Sequence, residues 1–376
     1  MDACDTTTEP DGDPASRPMA MQSEAMSVYK PDWREARDRM IAWWATGQAD
    51  RVVAKVSSPK AGAPPRQTRG SAREQATDLD IIFDNLDRLH ASTWYGAESF
   101  PMHFIYLAPA TMGVFLGAPL EFRDESAWQG RLPLTWDQAD QIAFDPDNRW
   151  WRFMVEQTRT SCQRSQGRYI VTVSGGGALA DVMVNLLGCE ETLLALIERP
   201  ADVLGLRDRM LQWALAMNEE VSAILRRHQF GSADWLRMWA PGIYHSTQCD
   251  LCVMLSPKMF NDFFLEEIRQ ECRHLDYSLY HLDGVAAVRH LDALLGIEEL
   301  GGIQWNPEPQ FSDPLPYVDV FRRVQERGKK LFISCPPARI RPLLGAIGKE
   351  NVFLSTICKD EPAAREVVRD LERIGL

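Results

Sequence analysis

Short apolar runs alternate with longer amphipathic stretches along most of the chain. Eight runs of four to seven residues have the character of buried strands, namely 51–57, 103–107, 169–173, 235–239, 278–282, 302–305, 331–334 and 352–356. Between most of them apolar residues recur at spacings of three and four, which is typical of amphipathic helices. This alternation predicts an α/β fold, most simply a (β/α)8 TIM-like barrel with an elaborated N-terminal helical region. A doubly wound open sheet is the alternative.

One strand–loop–helix–strand unit, residues 277–309, concentrates ionisable side chains at strand ends. In parallel α/β folds the functional loops follow the carboxyl ends of the strands. His281 and Asp283 alternate on one strand, so both side chains face the same way. We expect His281, Asp283 and Glu308 to be catalytic and Trp305 to wall a pocket. The alternative is a hydrogen-bonded core histidine, a helix-capping aspartate, a core tryptophan and a solvated glutamate.

Two further strand ends carry polar residues. The loop after the run 235–239 contains His245, Gln248 and Asp250, and Ser174-Gly175 follows the run 169–173. We expect all five to contact substrate, the last two through backbone N–H groups that face an anion. The alternatives are an ordinary polar connection and a tight glycine turn. Because no Lys-Ser/Thr follows the glycines, the turn is not a P-loop.

Composition and charge narrow the functional classes. The chain has 376 residues, a net charge of −12 and 45% hydrophobic residues, which argues against nucleic acid or an anionic membrane as the main partner. No apolar run approaches the ~20 residues that cross a bilayer, and the N-terminus lacks a signal peptide. Eight cysteines are too sparse for a disulfide framework. We therefore expect a cytoplasmic protein with a disordered tail, 1–27, and a single domain, 28–376.

Three segments resemble the uroporphyrinogen decarboxylase-like superfamily. The run YHLDG, with VRHLDALLGI and GGIQW after it, is similar to the C-terminal half of these proteins. RYIVTVSGGGALADVMVNLLGCEETLLALIERPADV and WAPGIYHSTQCDLCVMLSPKMF extend the resemblance over roughly residues 90 to 375. The superfamily includes zinc-dependent corrinoid:thiol methyltransferases. The resemblance implies a (β/α)8 barrel enzyme, and by family habit a homodimer.

The decarboxylase branch is matched only loosely. Its members carry an Arg-Gln-Ala-Gly-Arg-Tyr signature whose arginines hold the carboxylates of the substrate. This chain has Arg66-Gln67-Thr68-Arg69-Gly70 in a low-complexity loop. A substrate with many carboxylates needs a cluster of arginine forks, and no such cluster stands at a predicted strand end.

The methyltransferase branch binds zinc through a His-x-Cys at one strand end and a lone cysteine on the last strand. By resemblance, this chain offers His281, Asp283 and Cys358. The set stays competent for zinc, which accepts nitrogen, sulfur and carboxylate ligands. If Cys249 replaces the missing cysteine, the ligands are His281, Cys249 and Cys358. An open fourth position would take a thiol and deprotonate it.

The leading hypothesis is therefore zinc-assisted methyl or one-carbon transfer to a thiol, with a corrinoid, free or on a corrinoid protein, as a methyl carrier. A metal-free decarboxylase (a lyase) is the alternative, and a tetrapyrrole- or corrinoid-binding protein is the second alternative. All three predict a small-molecule pocket at the carboxyl ends of the strands.

Overall fold

A seven-stranded, mostly parallel sheet is the largest unit of the fold. The computed structural model describes residue 22 and residues 24–123, 126–173 and 176–375. The strands in these ranges are β1 (Val53–Pro59), β2 (Thr93–Ala97), β3 (Met102–His103), β4 (Leu120–Phe122), β5 (Ala127–Gln129), β6 (Ile170–Val171), β7 (Ser232–Ala233), β8 (Trp239–Ala240), β9 (Tyr244–Gln248), β10 (Tyr277–Asp283), β11 (Gly302–Asn306), β12 (Lys330–Ser334) and β13 (Val352–Ile357). The sheet has the order β2-β1-β13-β12-β11-β10-β9, and only β2 is antiparallel to its neighbour. Three short pairs lie outside it, β3–β6 parallel and β4–β5 and β7–β8 antiparallel.

Helices connect the successive strands of the large sheet, which makes the fold α/β. Within the described ranges they are α1 (Trp33–Thr46), α2 (Ala72–Thr77), α3 (Leu79–Ser92), α4 (Met112–Phe115), α5 (Arg149–Ser165), α6 (Leu179–Leu187), α7 (Cys189–Glu198), α8 (Pro200–Arg226), α9 (Pro257–Phe263), α10 (Leu265–Arg273), α11 (Leu291–Leu295), α12 (Val318–Glu326), α13 (Pro337–Ile347) and α14 (Glu361–Gly375). Among the described residues, no helix has the length and apolar character needed to cross a membrane. Most of the predicted tail 1–27 lies outside these ranges, although Met26 within it is buried.

The predicted strands agree with the structure in the C-terminal half and fail at two places. Run 103–107 shares only His103 with β3, and residues 104–107 are outside any strand. Runs 278–282, 302–305, 331–334 and 352–356 coincide with β10 to β13. Run 235–239 was predicted as a strand but is a turn between β7 and β8, in which the Arg237 N–H donates to the Asp234 carbonyl at 3.0 Å. Arg237 has φ +57°, outside the extended region that strand residues ordinarily adopt. The polar loop that follows is instead β9, in which Tyr244, Ser246 and Gln248 share one face and His245 and Thr247 share the other.

The large sheet does not close through strand pairing within the described part of the chain. Its outer strands are β2 and β9, and the three short pairs form separate sheets. The predicted α/β class with a mostly parallel sheet is therefore confirmed at this coarser level, and closure into an eight-stranded barrel stays a prediction.

An apolar floor lies on one face of the sheet, formed by residues early in the strands. Parallel register places paired side chains on the same face, and it joins Val53 to Phe353, and Phe353 to Phe332. Helix α1 packs against this face, with the Trp43 ring 5.6 Å from that of Phe353. Trp43 is 1% exposed, as expected for a helix whose apolar stripe is covered.

Gly47 ends α1 in the left-handed conformation, with φ +75°, and its N–H donates to the Trp43 carbonyl at 2.8 Å. A Cβ at this position would lie 1.9 Å from Asn351 Oδ1. Only glycine therefore fits where the helix turns back toward the sheet.

The same face becomes polar toward the carboxyl ends of the strands. On β10 it carries Leu279, then His281 and Asp283, and on β1 it carries Val53 and then Lys55. Register aligns His281 with Gln304 on β11. The alternation of apolar and polar residues in the sequence thus sets up both the floor and the candidate site above it.

Candidate functional site

The carboxyl ends of β9 and β10 bring together the strongest cluster of ligand atoms. Asp250 follows β9, and His281 and Asp283 end β10 on one face of the sheet. One ligand atom from each of these three residues lies within 4.8 Å of the other two, the only such His/Cys/Asp/Glu group in the described ranges. His281 Nε2 is 3.8 Å from Asp283 Oδ1. We call Asp250, His281 and Asp283 the triad.

Hydrogen bonds orient the two triad residues on β10. His281 Nδ1 contacts Gln304 Oε1, while the Gln304 amide nitrogen donates to the Trp305 carbonyl at 3.2 Å. The glutamine oxygen therefore accepts, so Nδ1 carries the proton and the lone pair of Nε2 is directed to the triad. Asn306 donates to Asp283 Oδ1 at 2.5 Å. Sequence reasoning missed both amide residues, although their alternation on β11 after a glycine pair was a usable signal.

Asp181 on α6 positions the third triad residue. Its two carboxylate oxygens accept the N–H groups of Asp250 and Leu251, both at 3.1 Å. These donors open the 3₁₀ turn 250–254, so Asp181 holds the turn that presents the Asp250 carboxylate. No local sequence pattern pointed to Asp181, because its contact spans about 70 residues and depends on how α6 packs beside β9.

Burial shifts the pKa values of Asp181, Asp250 and His281, and it leaves the acidic groups of the site without a neighbouring positive charge within the residues that the structure describes. Burial, and then repulsion by Asp250, raise the pKa of Asp181 to about 7. Burial, and then Asp283, raise the pKa of Asp250 to about 6. Burial lowers the pKa of His281, so the imidazole is neutral at pH 7. One buried oxygen of Asp250, Oδ1, has no hydrogen-bond partner, which is the arrangement expected where a cation would complete the site.

A cavity of about 490 Å³ adjoins the triad and includes His281 in its wall. This volume lies within the usual range for small-molecule sites. Apolar and aromatic side chains form one side of it, and the polar side chains in the wall are Thr111, Arg237, His245, Ser246, Gln248 and His281. Trp235, also in the wall, stands edge-on to the His281 ring at 4.8 Å. Arg237 is exposed toward this space with a left-handed backbone, an uncommon conformation for a non-glycine residue.

Three predicted substrate contacts lie at or near this cavity. Gln248 and His245 are in its wall, and Gln248 donates to Asp250 Oδ2 at 3.4 Å. His245 also lines a second, small cavity of about 50 Å³, so it forms part of the partition between the two. Burial lowers the pKa of His245 to about 4. Asp250, also predicted as a substrate contact, lies in the triad.

The two cysteines predicted as metal ligands lie apart from the triad. Cys249 is 1% exposed and packs in the apolar core, and burial raises the pKa of its thiol far above the usual value. Cys358 lines a different cavity, of about 570 Å³, between α13 and α14. Alternation along the strands explains both placements. Gln248 and Ile357 lie on the same face of the sheet as the site, so the residues that follow them, Cys249 and Cys358, point to the opposite face. Neither cysteine-containing ligand set is assembled.

The remaining predicted residues have structural contacts or cannot be placed. Trp305 is 1% exposed and packs on Tyr317, with ring centroids 4.7 Å apart, on the face of β11 opposite Gln304. Glu308 Oε2 accepts the Val285 N–H at 3.1 Å and so caps the turn after β10. Both contacts are structural, as in the non-catalytic alternatives inferred from the sequence for Trp305 and Glu308. Ser174 and Gly175 lie outside the described residues.

Comparison with known proteins adds no family to this geometry. The chain matches no protein-family model, and no curated protein is significantly similar to it. The resemblance to uroporphyrinogen decarboxylase-like proteins therefore stays a prediction, and the function must be argued from the site.

Proposed function

We propose that the chain is a metal-dependent enzyme that transfers a methyl or other one-carbon group to a small thiol. The observation that supports this proposal most is the triad of Asp250, His281 and Asp283, which opens beside a cavity of small-molecule size. The thiol acceptor would enter the cavity and reach the metal past His281.

The residues fit a divalent cation. One imidazole nitrogen and two carboxylates form a set that zinc accepts and that also suits manganese or iron(II). A fixed Nδ1–H on His281 and the unpartnered Asp250 Oδ1 both favour such an ion. Three protein ligands leave a position free, and a metal bound there would lower the pKa of a coordinated thiol.

The protein's own groups orient the reactants and handle the proton. Burial raises the pKa of Asp181 to about 7. Because this carboxyl group is outside the triad, it can take up the proton of the thiol at neutral pH while Asp250 holds the metal. Phe104, Tyr106 and Trp235 line the cavity with aromatic surface. A corrinoid, if it supplies the methyl group, would dock at the mouth on its carrier, since the cavity suits a smaller molecule.

We also propose that the strands form a (β/α)8 barrel, as in the superfamily that the sequence resembles. One backbone hydrogen bond supports this by linking strands that belong to separate sheets. Val173 N–H donates to the Ala233 carbonyl at 2.8 Å, joining the end of β6 to β7.

Metal-free decarboxylation is the second candidate, and Arg237 favours it. Its guanidinium is in the cavity wall without a carboxylate within ion-pair distance among the described residues, so it can hold the carboxylate of a substrate. A protonated Asp250 can then deliver a proton to the carbon that loses carbon dioxide.

Methylcobalamin and 2-mercaptoethanol are suitable probes for separating the candidates. We expect loss of the methylcobalt absorption band in the presence of protein and thiol, and we expect a chelator to stop it. His281→Ala should be inactive, whereas Cys358→Ala, a matched substitution outside the triad, should keep full activity. Full activity in His281→Ala or in chelator would contradict the metal-dependent proposal. Decarboxylation that survives the chelator would favour the second candidate.

A further inference from the structure

Lys55 projects from the middle of β1 toward the interior without a compensating carboxylate. It shares a face with Val53, whose side chain is in the apolar floor. Its Nζ donates to the Leu236 backbone carbonyl and lies 4.9 Å from the centre of the Phe332 ring. No Asp or Glu oxygen in the described part of the chain lies within 4.0 Å of this nitrogen. The carbonyl and the ring face both favour the ammonium form, but without a carboxylate this buried cation is less stabilised than one in an ion pair.

The amine lies beside the main cavity. Leu236, which accepts its hydrogen bond, stands between Trp235 and Arg237, and both of these side chains line the cavity. Lys55, taken as a whole residue, is partly buried and not fully buried. Lys55 itself is not among the lining residues, so a small molecule would have to pass between Trp235 and Arg237 to reach its amine.

Lys30 is a buried lysine with a structural role, and it provides a comparison for Lys55. Its side chain is 0% exposed and pairs with Asp32 at 2.8 Å, and it also donates to the Tyr95 carbonyl at 3.3 Å. Lys55 has the opposite arrangement, with partial burial and no ion pair. Burial, and then the charge of Arg237, lower the pKa of Lys55 to about 7, against a weaker attraction to Asp234. About half of the molecules therefore hold a neutral amine at pH 7.

Asp234 is the acid that accompanies this amine. Its carboxylate accepts N–H groups from Leu236 at 3.0 Å and Ser246 at 2.8 Å, and also the Ser246 hydroxyl. Ser246 lines the main cavity. Burial raises the pKa of Asp234 to about 7, so this carboxyl group can hold or give a proton at neutral pH. His245 Nδ1 lies 4.0 Å from its Oδ2.

We propose that Lys55 is a nucleophile that forms a Schiff base with a small aldehyde or ketone in the main cavity. The neutral amine adds to the carbonyl carbon to give a carbinolamine, whose C–O bond then breaks with loss of water. Amine, carbonyl compound and protonated Asp234 become a protonated Schiff base, an aspartate carboxylate and one water molecule. A cationic neighbour and a desolvated site are the usual means of activating such a lysine. The reaction requires no metal, so it stands or fails separately from the methyl-transfer proposal.

Reductive trapping tests the proposal within one molecule. Intact wild-type protein in chelator is treated with glyoxylate and cyanoborohydride, which reduces a Schiff base to a secondary amine, and peptide mass spectrometry gives the labelling rate of each lysine. At pH 7 we expect Lys55 to react at least ~10-fold faster than the exposed Lys258, because the neutral fraction of an ordinary lysine is roughly a thousandfold smaller. Its rate should level off above pH 7, whereas that of Lys258 should rise toward pH ~10. Lys30 should remain unlabelled.

Labelling of Lys55 no faster than that of Lys258, or only after denaturation, would overturn the proposal. Variants then test the acid. Asp234→Asn should slow labelling at Lys55 at least ~10-fold without changing that at Lys258, and labelling at the wild-type rate would remove Asp234 from the step. Lys55→Arg should abolish the fast phase, and Lys258→Arg is the matched control that keeps it. Because the first comparison uses wild-type protein, a variant that fails to fold does not weaken the test.

Discussion

The two ends of the same strands differ in what their side chains do. At the amino ends, Val53 and Phe353 pack with Phe332 and helix α1 into an apolar floor. Further along the strands, the same face presents Lys55 in the middle of β1 and His281 near the end of β10. Burial lowers the pKa of both side chains. The floor is stabilised by burial of apolar area, which is additive and non-directional. The site depends on directed hydrogen bonds, so changing a single atom there should alter the protonation of its side chains more than the stability of the fold.

The largest expected effect is on the floor. Trp43→Ala should lower the free energy of unfolding by about 3–5 kcal/mol, because a fully buried indole is removed. Urea unfolding measures this change, and Trp43→Phe is the milder control. The folded variant should still bind metal with wild-type affinity. A weaker affinity in folded Trp43→Ala would show that floor and site are not separable.

A smaller effect on stability, but a larger one on binding, is expected at Asp181. Asp181→Asn keeps a single acceptor for the two N–H groups at residues 250 and 251, so the Asp250 turn should be held less firmly. Metal affinity should fall ten- to a hundredfold, as measured by competition with a chromophoric chelator. Asp202→Asn, an acid in the first turn of α8, is the control and should bind normally. Equal affinity in both variants would contradict the positioning role.

The pH dependence of the free energy of unfolding also tests the role of Asp181. The pKa of Asp181 is raised to about 7 in the folded protein, so the folded state holds a proton that the unfolded state has lost above pH ~4. The stability of metal-free protein should therefore decrease by about 1 kcal/mol or more from pH 5 to pH 7.5. Asp181→Asn should flatten this decrease in urea unfolding experiments at the two pH values. A wild-type stability that rises over this interval would contradict the assignment.

The smallest effect is expected at Glu308. Glu308→Gln keeps an oxygen that can accept the Val285 N–H, so the free energy of unfolding should change by less than ~1 kcal/mol. Metal content should not change, since the side chain caps a turn and is outside the triad. Loss of metal in this variant would restore the catalytic interpretation of Glu308.

The sequence predicted those parts of the fold and site that depend on local periodicity. Alternation placed His281 and Asp283 on one face of a strand end, and β10 to β13 lie where the apolar runs are. The same rule, applied to Cys358 and Cys249, would have turned both away from the site face. Long-range contacts left no such trace, so Asp181 was missed. The turn at Arg237 was also missed. Its apolar neighbours have the pattern of a strand, whereas the contacts of Asp234 that stabilise the turn are not evident from that pattern.

Metal content tests the central claim most directly. Wild-type protein purified without added metal, and the variants Asp250→Asn, His281→Ala, Asp283→Asn and Cys358→Ala, can be compared by elemental analysis alongside circular dichroism. The account predicts near-stoichiometric zinc, manganese or iron in wild type and in Cys358→Ala, and its loss in the three triad variants. Metal that is retained without the triad and lost in Cys358→Ala would contradict the site. A folded wild type that takes up none of these metals when they are added would contradict metal-dependent function.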